Sequence, residues 1–449
     1  MPPVPNSEIV KRDLCAKWLR AIGTSLVLIL AVSIALRLSF MREEQRRIPA
    51  QWLSVAPFQY ETGNIAFALA TGKGFSSPLR VDTGPTAWLT PIYPAIVAGF
   101  FKAFGPYTFG AFEATALLNI LFSALTCIPI YFAGARIGGT GLGALAGWLW
   151  AIFPAAVMIP FDWVWDTSLS ALLAATILWA TLWVADSLRW RDWFVYGILW
   201  GFTLMTNPSL GSLLPFLLGW IAWRAAKKKY PAWLRQSALT IAIIFLACLP
   251  WTIRNYRVFH ALVPLRTTLG LQLWLGNNPY YIHAWGAWLH PIDNAEERAK
   301  FIAMGEVPYM REKFRLGLEY MCRFPGRVAE ISWQKFVTTW LGTTHPVRDF
   351  EIAPQFRVRA VEVSNDIVSL GVLAGILTLF WRRNPFAFPL AAVPIIYPLL
   401  YYVTVPMLRY RHPIDPVIIL LTAAGIVGIF PRKIWPMETQ VPNATSAAS

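Results

Sequence analysis

The chain has 449 residues, 56% hydrophobic and 14% charged, with 23 Trp and a formal net charge of +15. A soluble chain carries about 25% charged residues, so this balance excludes a string of ordinary soluble domains. The basic residues sit mostly in short loops between apolar runs, where they orient membrane spans; a nucleic-acid partner is therefore not expected.

In chain order, Lys11, Arg12, Lys17 and Arg20 precede an apolar run at 22–40, which reads as a retained first span at 18–40. Segment 41–108 follows and includes 88–104, WLTPIYPAIVAGFFKAF, interrupted by Pro91 and Pro94. Crossing a bilayer takes about 20 mostly apolar residues. Further runs approaching that length fall near 109–134, 139–160, 165–187, 193–207, 209–224, 233–252, 362–381, 386–405 and 412–430. The expected fold is an all-α, polytopic transmembrane helix bundle of about ten spans. Juxtamembrane helices in the first outer loop and a small helical outer segment complete it. Four cysteines are too few for a disulfide framework.

Charge decides the topology. With 88–104 lying on the membrane surface, Arg136, Arg189 and Arg191, Arg224 with Lys227–Lys229, Arg382 and Arg383, and Arg432 with Lys433 all join the N-terminus on one side. If 88–104 crossed, the later clusters would move outside. Both termini are therefore expected in the cytoplasm, with 41–108 and 253–361 facing out. Residues 1–435 read as one membrane domain and 436–449 as a flexible cytoplasmic tail. Within the second outer segment, 294–322 mixes charges and apolar residues at helical spacing behind an Asn cap.

An ionisable residue within a span is costly, and here the span middles are nearly free of charge. Acids and bases collect at the outward ends, and the basic clusters at the cytoplasmic ends lack matching acids. That pattern disfavours an ion-coupled transporter, whose binding groups lie near the midplane. It suits chemistry on a lipid-phosphate head group. Asp162 and Asp166 are four apart and would share a helix face. Leu408-Arg409-Tyr410-Arg411-His412-Pro413 sets two guanidiniums and an imidazole at the last span, and guanidinium forks bind phosphate in a bidentate manner. Arg254, Asn255 and Arg257 offer a second basic edge. No Asp-x-Asp pair, His/Cys ligand cluster or Gly-rich nucleotide loop is present, so neither a metal nor another cofactor is expected. His283, His290 and His345 read as surface-loop histidines.

Residues 57–105, PFQYETGNIAFALATGKGFSSPLRVDTGPTAWLTPIYPAIVAGFFKAFG, carry an acid before an "IA..LA.G.GF" helix and then a "P.AW..P.YP" segment. With Trp251–Arg257, LQLWLGNNP at 271–279 and RYRHPIDP at 409–416, they resemble the GT-C membrane glycosyltransferases, nearest the bacterial protein O-mannosyltransferase relatives and the aminoarabinose lipid A transferase. The resemblance covers about 15–430. It implies a multi-pass protein of a bacterial inner membrane, with an extracytoplasmic active site. A sugar would move from a polyprenyl-phosphate donor to a protein, lipid or glycan acceptor.

The resemblance places the general base on Glu61, where Asp is commoner, and a second acid on Asp166. Tyr93 of the "P.YP" segment joins the substrate site, as does Asp162. The family's Lys near that segment is missing from PTAWLTP, leaving phosphate binding to Arg80, Arg254, Arg409 or Arg411. The alternatives are a transporter or flippase for a lipid-linked glycan and an envelope enzyme like an O-antigen ligase or polymerase.

Overall fold

A computed structural model describes residues 23–228, 230, 232–281, 287–341 and 355–429. The N-terminal basic run, His283, His345, Arg432, Lys433 and the 436–449 tail lie outside these residues. The described chain is an all-α membrane helix bundle; besides helices it has one isolated bridge, Ser76 to Pro85.

Among the described residues, five helices are long and apolar enough to cross a membrane: Phe109–Gly138, Thr167–Val184, Trp233–Phe259, Arg359–Trp381 and Leu408–Ile429. A bent pair, Thr140–Ile152 with Pro154–Phe161, makes a sixth when counted as one span. Of the other expected runs, 193–207 and 209–224 form the shorter helices Trp190–Leu204 and Leu214–Lys227, and the described part of 18–40 lies mostly in the 22-residue helix Leu26–Arg47, which is not among the five. The run at 386–405 breaks into Ala387–Ile396 and Leu399–Val403 around Pro398. In segment 88–104, the helix is Ile92–Phe104. Thirteen residues rise about 20 Å, short of the roughly 30 Å hydrocarbon core.

Burial separates an inner helix from outer ones. Asp415–Ile429 is apolar all round and buried along nearly its whole length. Leu370, Leu373 and Leu377 of the neighbouring helix, and Ile241, Phe245 and Leu246 of Trp233–Phe259, are exposed instead. Such an exposed apolar face is at home against lipid. Small residues let the inner helix approach closely: a Cβ on Gly375 would lie 2.0 Å from the Leu421 carbonyl oxygen.

The bend at Phe153 has a chemical cause. Pro154 has no N–H to give the Trp150 carbonyl. Arg37, fully buried in the helix Leu26–Arg47, donates to that oxygen at 3.3 Å and to the Ala151 oxygen at 3.1 Å. Its other donors meet Ser123 and Ser33. This charge inside the first expected span is met by the break together with Ser33 and Ser123.

The basic end does contain an acid, contrary to the expectation. Asp186 binds Arg136 at 2.7 Å, Arg224 at 3.0 Å and Lys228 at 2.6 Å. It stands just past one end of Thr167–Val184 and Asp166 just before the other, and the 18 residues of that helix rise about 27 Å.

The expected Asn cap is present: Asn294 accepts from the Glu297 N–H at 2.9 Å. Gly305, at φ +80°, divides the outer segment into helices Ala295–Met304 and Glu306–Arg323. Glu306 then ties segments 41–108 and 253–361 together. It accepts from Thr86 at 2.5 Å, the Ala87 N–H at 2.8 Å and Thr267 at 2.7 Å.

Candidate active site

Glu61 begins the helix Glu61–Ala70, where the N-terminal dipole favours a negative charge. A 3-10 turn, Ala56–Phe58, brings the chain to it, and Gly63 packs onto that turn. A Cβ there would lie 2.0 Å from the Phe58 carbonyl oxygen, so only glycine fits. Asn64 secures the turn by donating to Gln59 O at 3.2 Å and Pro78 O at 2.9 Å.

The Glu61 side chain lines a cavity of about 450 Å³. Asp166, Asn207, Arg266, Arg409 and His290 line the same cavity, with the rings of Tyr60, Trp88, Trp165, Tyr401 and Tyr410. Asp166 accepts from Ser170 at 2.9 Å, and Asn207 donates to the same hydroxyl at 3.1 Å. Arg266 is steadied by Ser209 at 3.0 Å. The Arg409 guanidinium lies over Trp165, 4.1 Å from the ring centroid, and beside Tyr410. One of its N–H groups donates to the Tyr410 hydroxyl at 3.4 Å.

Burial dominates the electrostatics of Glu61 and pushes its carboxyl up to about 7. Its own backbone N–H, Arg409 and Arg80 pull the other way, while Asp293 adds to the rise. A carboxyl in that range is half ionised near neutral pH, which suits proton abstraction.

Of the expected site residues, Glu61, Asp166 and Arg409 meet at this cavity. Arg80 sits near it, in the left-handed backbone region at φ +51°. It donates to Gln59 O and lies 5.9 Å from the Tyr60 ring. Other expected residues lie elsewhere. Arg411 and His412 turn inward, because Asp415 one helical turn on takes both, at 2.9 and 3.0 Å. Arg411 also reaches Ser369 and Thr339 O. Tyr93 is buried and donates to Asn119 at 3.0 Å. Arg254 braces the first outer loop through Thr86 O and Phe75 O, and Asn255 donates to Val263 O. Arg257 is exposed on the helix Trp233–Phe259. Asp162 ends the helix Pro154–Asp162; its side chain lies outside the described parts.

Arg266 and His290 line the cavity and were not among the expected site residues. Arg266 lies in a short connection with no motif, its signal being only a base on the outward side. His290, expected in a surface loop, is 2% exposed instead. Among the described residues, no three of His, Cys, Asp and Glu gather as a metal site.

No protein-family model and no curated protein matches this chain. Solved structures do. The oligosaccharyltransferase AglB of the archaeon Archaeoglobus fulgidus, in complex with an inhibitory peptide and a dolichol-phosphate, aligns at TM-score 0.50 and 15% identity. The alignment covers 91% of this chain and 50% of that one. An Archaeoglobus fulgidus oligosaccharyltransferase in complex with Zn and sulfate aligns at TM-score 0.51 and 15% identity, over 91% and 49% of the two chains. The chain thus spans about half the length of these structures, and at this identity what is shared is the fold.

Proposed function

We propose that the protein is a GT-C-type glycosyltransferase that moves a sugar from a polyprenyl-phosphate donor to an acceptor at the extracytoplasmic face of a bacterial inner membrane. The observation that carries this reading is the cavity itself. One buried carboxylate at a helix N-terminus shares a cavity with a second acid and two guanidiniums, at the end of the bundle opposite the basic cluster around Asp186. The fold likeness supports it, since the archaeal enzyme was solved with a dolichol-phosphate.

The acceptor oxygen attacks the anomeric carbon, and its proton passes to Glu61. The bond from that carbon to the phosphate oxygen breaks, with its electron pair leaving on the phosphate. Arg409 and Arg266 face the charge that develops there. Asp166 orients the acceptor or the sugar. Protein, lipid and glycan hydroxyls or amines all fit this chemistry as acceptors.

Because Glu61 must be ionised to act, and burial raises its carboxyl to about 7, kcat/KM should climb tenfold per pH unit below that point and level off above it. The measurement is transfer from a synthetic polyprenyl-phosphate sugar by the purified chain between pH 5 and 9. A rate independent of pH across that window contradicts the assignment of the base.

A further inference from the structure

His290 follows the turn Ala287–Leu289 and is packed edge-on against Trp88, with ring centroids 5.6 Å apart. Its Nδ1 lies 3.2 Å from the Ile292 backbone nitrogen, whose N–H donates to it. A backbone N–H can only donate, so Nδ1 presents its lone pair and the ring proton sits on Nε2. That Nε2 stands 3.4 Å from Oε1 of Glu61.

The separation alone would fit an ion pair. Charging the ring, however, would place a proton on Nδ1 against the Ile292 N–H. Burial, with Arg409 and Arg80 nearby, depresses His290 to about 3, so the ring is neutral at working pH. Contacts of this length commonly tighten once substrate fills a site.

We infer that His290 is a positioning residue for Glu61: a neutral Nε2–H donor, locked in its tautomer by Ile292, that holds one carboxylate oxygen and leaves the other for the acceptor proton. The inference rests on Glu61 being the base of the proposed transfer. The other ionisable groups around Glu61 are Tyr60 beside it, Arg80 and Asp293 in the outer loops and Arg409 from the late segment; Asp166 shares the cavity. Against that fixed set, loss of the His290 donor makes ionised Glu61 less favourable and raises the pH at which it loses its proton.

Three variants separate this role from packing. His290→Gln keeps an N–H near the Nε2 position. His290→Asn keeps only an acceptor near Nδ1, and His290→Phe keeps the ring against Trp88 with neither nitrogen. Two readouts apply to the full chain in detergent: the acid limb of kcat/KM, and the pH midpoint of Glu61 labelling by dicyclohexylcarbodiimide, which needs no turnover.

In Asn and Phe variants both midpoints should rise by about one pH unit, a tenfold change in the ionisation equilibrium, while KM for the donor stays near wild type. The Gln variant should keep the wild-type midpoint. Midpoints that coincide in wild type, Asn and Phe overturn the inference, as does a Gln variant shifted as far as Asn. If the wild-type chain transfers no sugar yet the labelling midpoints separate as expected, the His290–Glu61 pair stands and the proposed reaction falls.

Discussion

Glu61→Gln should lower sugar transfer by about two to four powers of ten, the usual range for loss of a positioned general base. The substitution is nearly isosteric, so the helix Glu61–Ala70 keeps its start and the packing of Gly63 on Phe58 is undisturbed. What disappears is the ability to take a proton. A neutral amide also removes a buried charge, so thermal stability and membrane insertion should hold. Asp166→Asn should abolish transfer likewise with insertion intact, since it leaves the Ser170–Asn207 network in place. Transfer rates, read beside elution profile and melting temperature, check both variants. Near-wild-type transfer in both would remove the carboxylates from the mechanism.

The second large effect belongs to the guanidiniums. Arg409→Gln or Arg266→Gln should each cost about 10²- to 10³-fold in kcat, the order found when one donor to a developing oxyanion is removed. The double variant should lose more than either, without strict additivity, because both face one leaving group. Arg409→Lys should not restore the rate. An ammonium keeps the charge but lacks the planar fork that lies over Trp165. Arg411→Gln serves as the contrast. Its loss breaks the buried bonds to Asp415, Ser369 and Thr339 and should show first as a lower melting temperature. A fall in kcat for Arg411→Gln matching that for Arg409→Gln, with no loss of stability, would contradict the division of roles.

Much of the fold was legible because membrane helices announce themselves by length and apolarity. The cap at Asn294 and the shortness of Ile92–Phe104 could be read from pattern alone. The breaks at Phe153 and Pro398 were harder, because Pro within apolar helices is tolerated when a neighbour satisfies the freed carbonyl. Here that neighbour is Arg37, 113 residues from Trp150.

The site divides in the same way. Glu61 stood out through the resemblance of its loop, and Asp166 as an acid at an expected span end. Arg409, Arg411 and His412 were indistinguishable as a cluster. A helix turns about 100° per residue, so neighbours face different ways, and the acid at 415 captured two of the three. That spacing, Arg411 and His412 followed by Asp415, was visible in the chain and is the sign that could have separated them. Nothing local marks His290, because its burial comes from Trp88 and Glu61, roughly 200 residues earlier.

A flippase reading would need polar groups lining a path through the bundle. The buried Arg37 does not open one, since its donors end on Ser33, Ser123 and two carbonyls of the bent pair.

The most direct test of the central claim is to incubate the purified chain with a panel of synthetic polyprenyl-phosphate sugars and candidate acceptors, measuring free polyprenyl phosphate and glycosylated acceptor together. One donor class should release both products in equal amounts, only when acceptor is present, and Glu61→Gln should abolish both. Intact donor crossing a proteoliposome bilayer, with no sugar–phosphate bond broken for any donor, would contradict that claim.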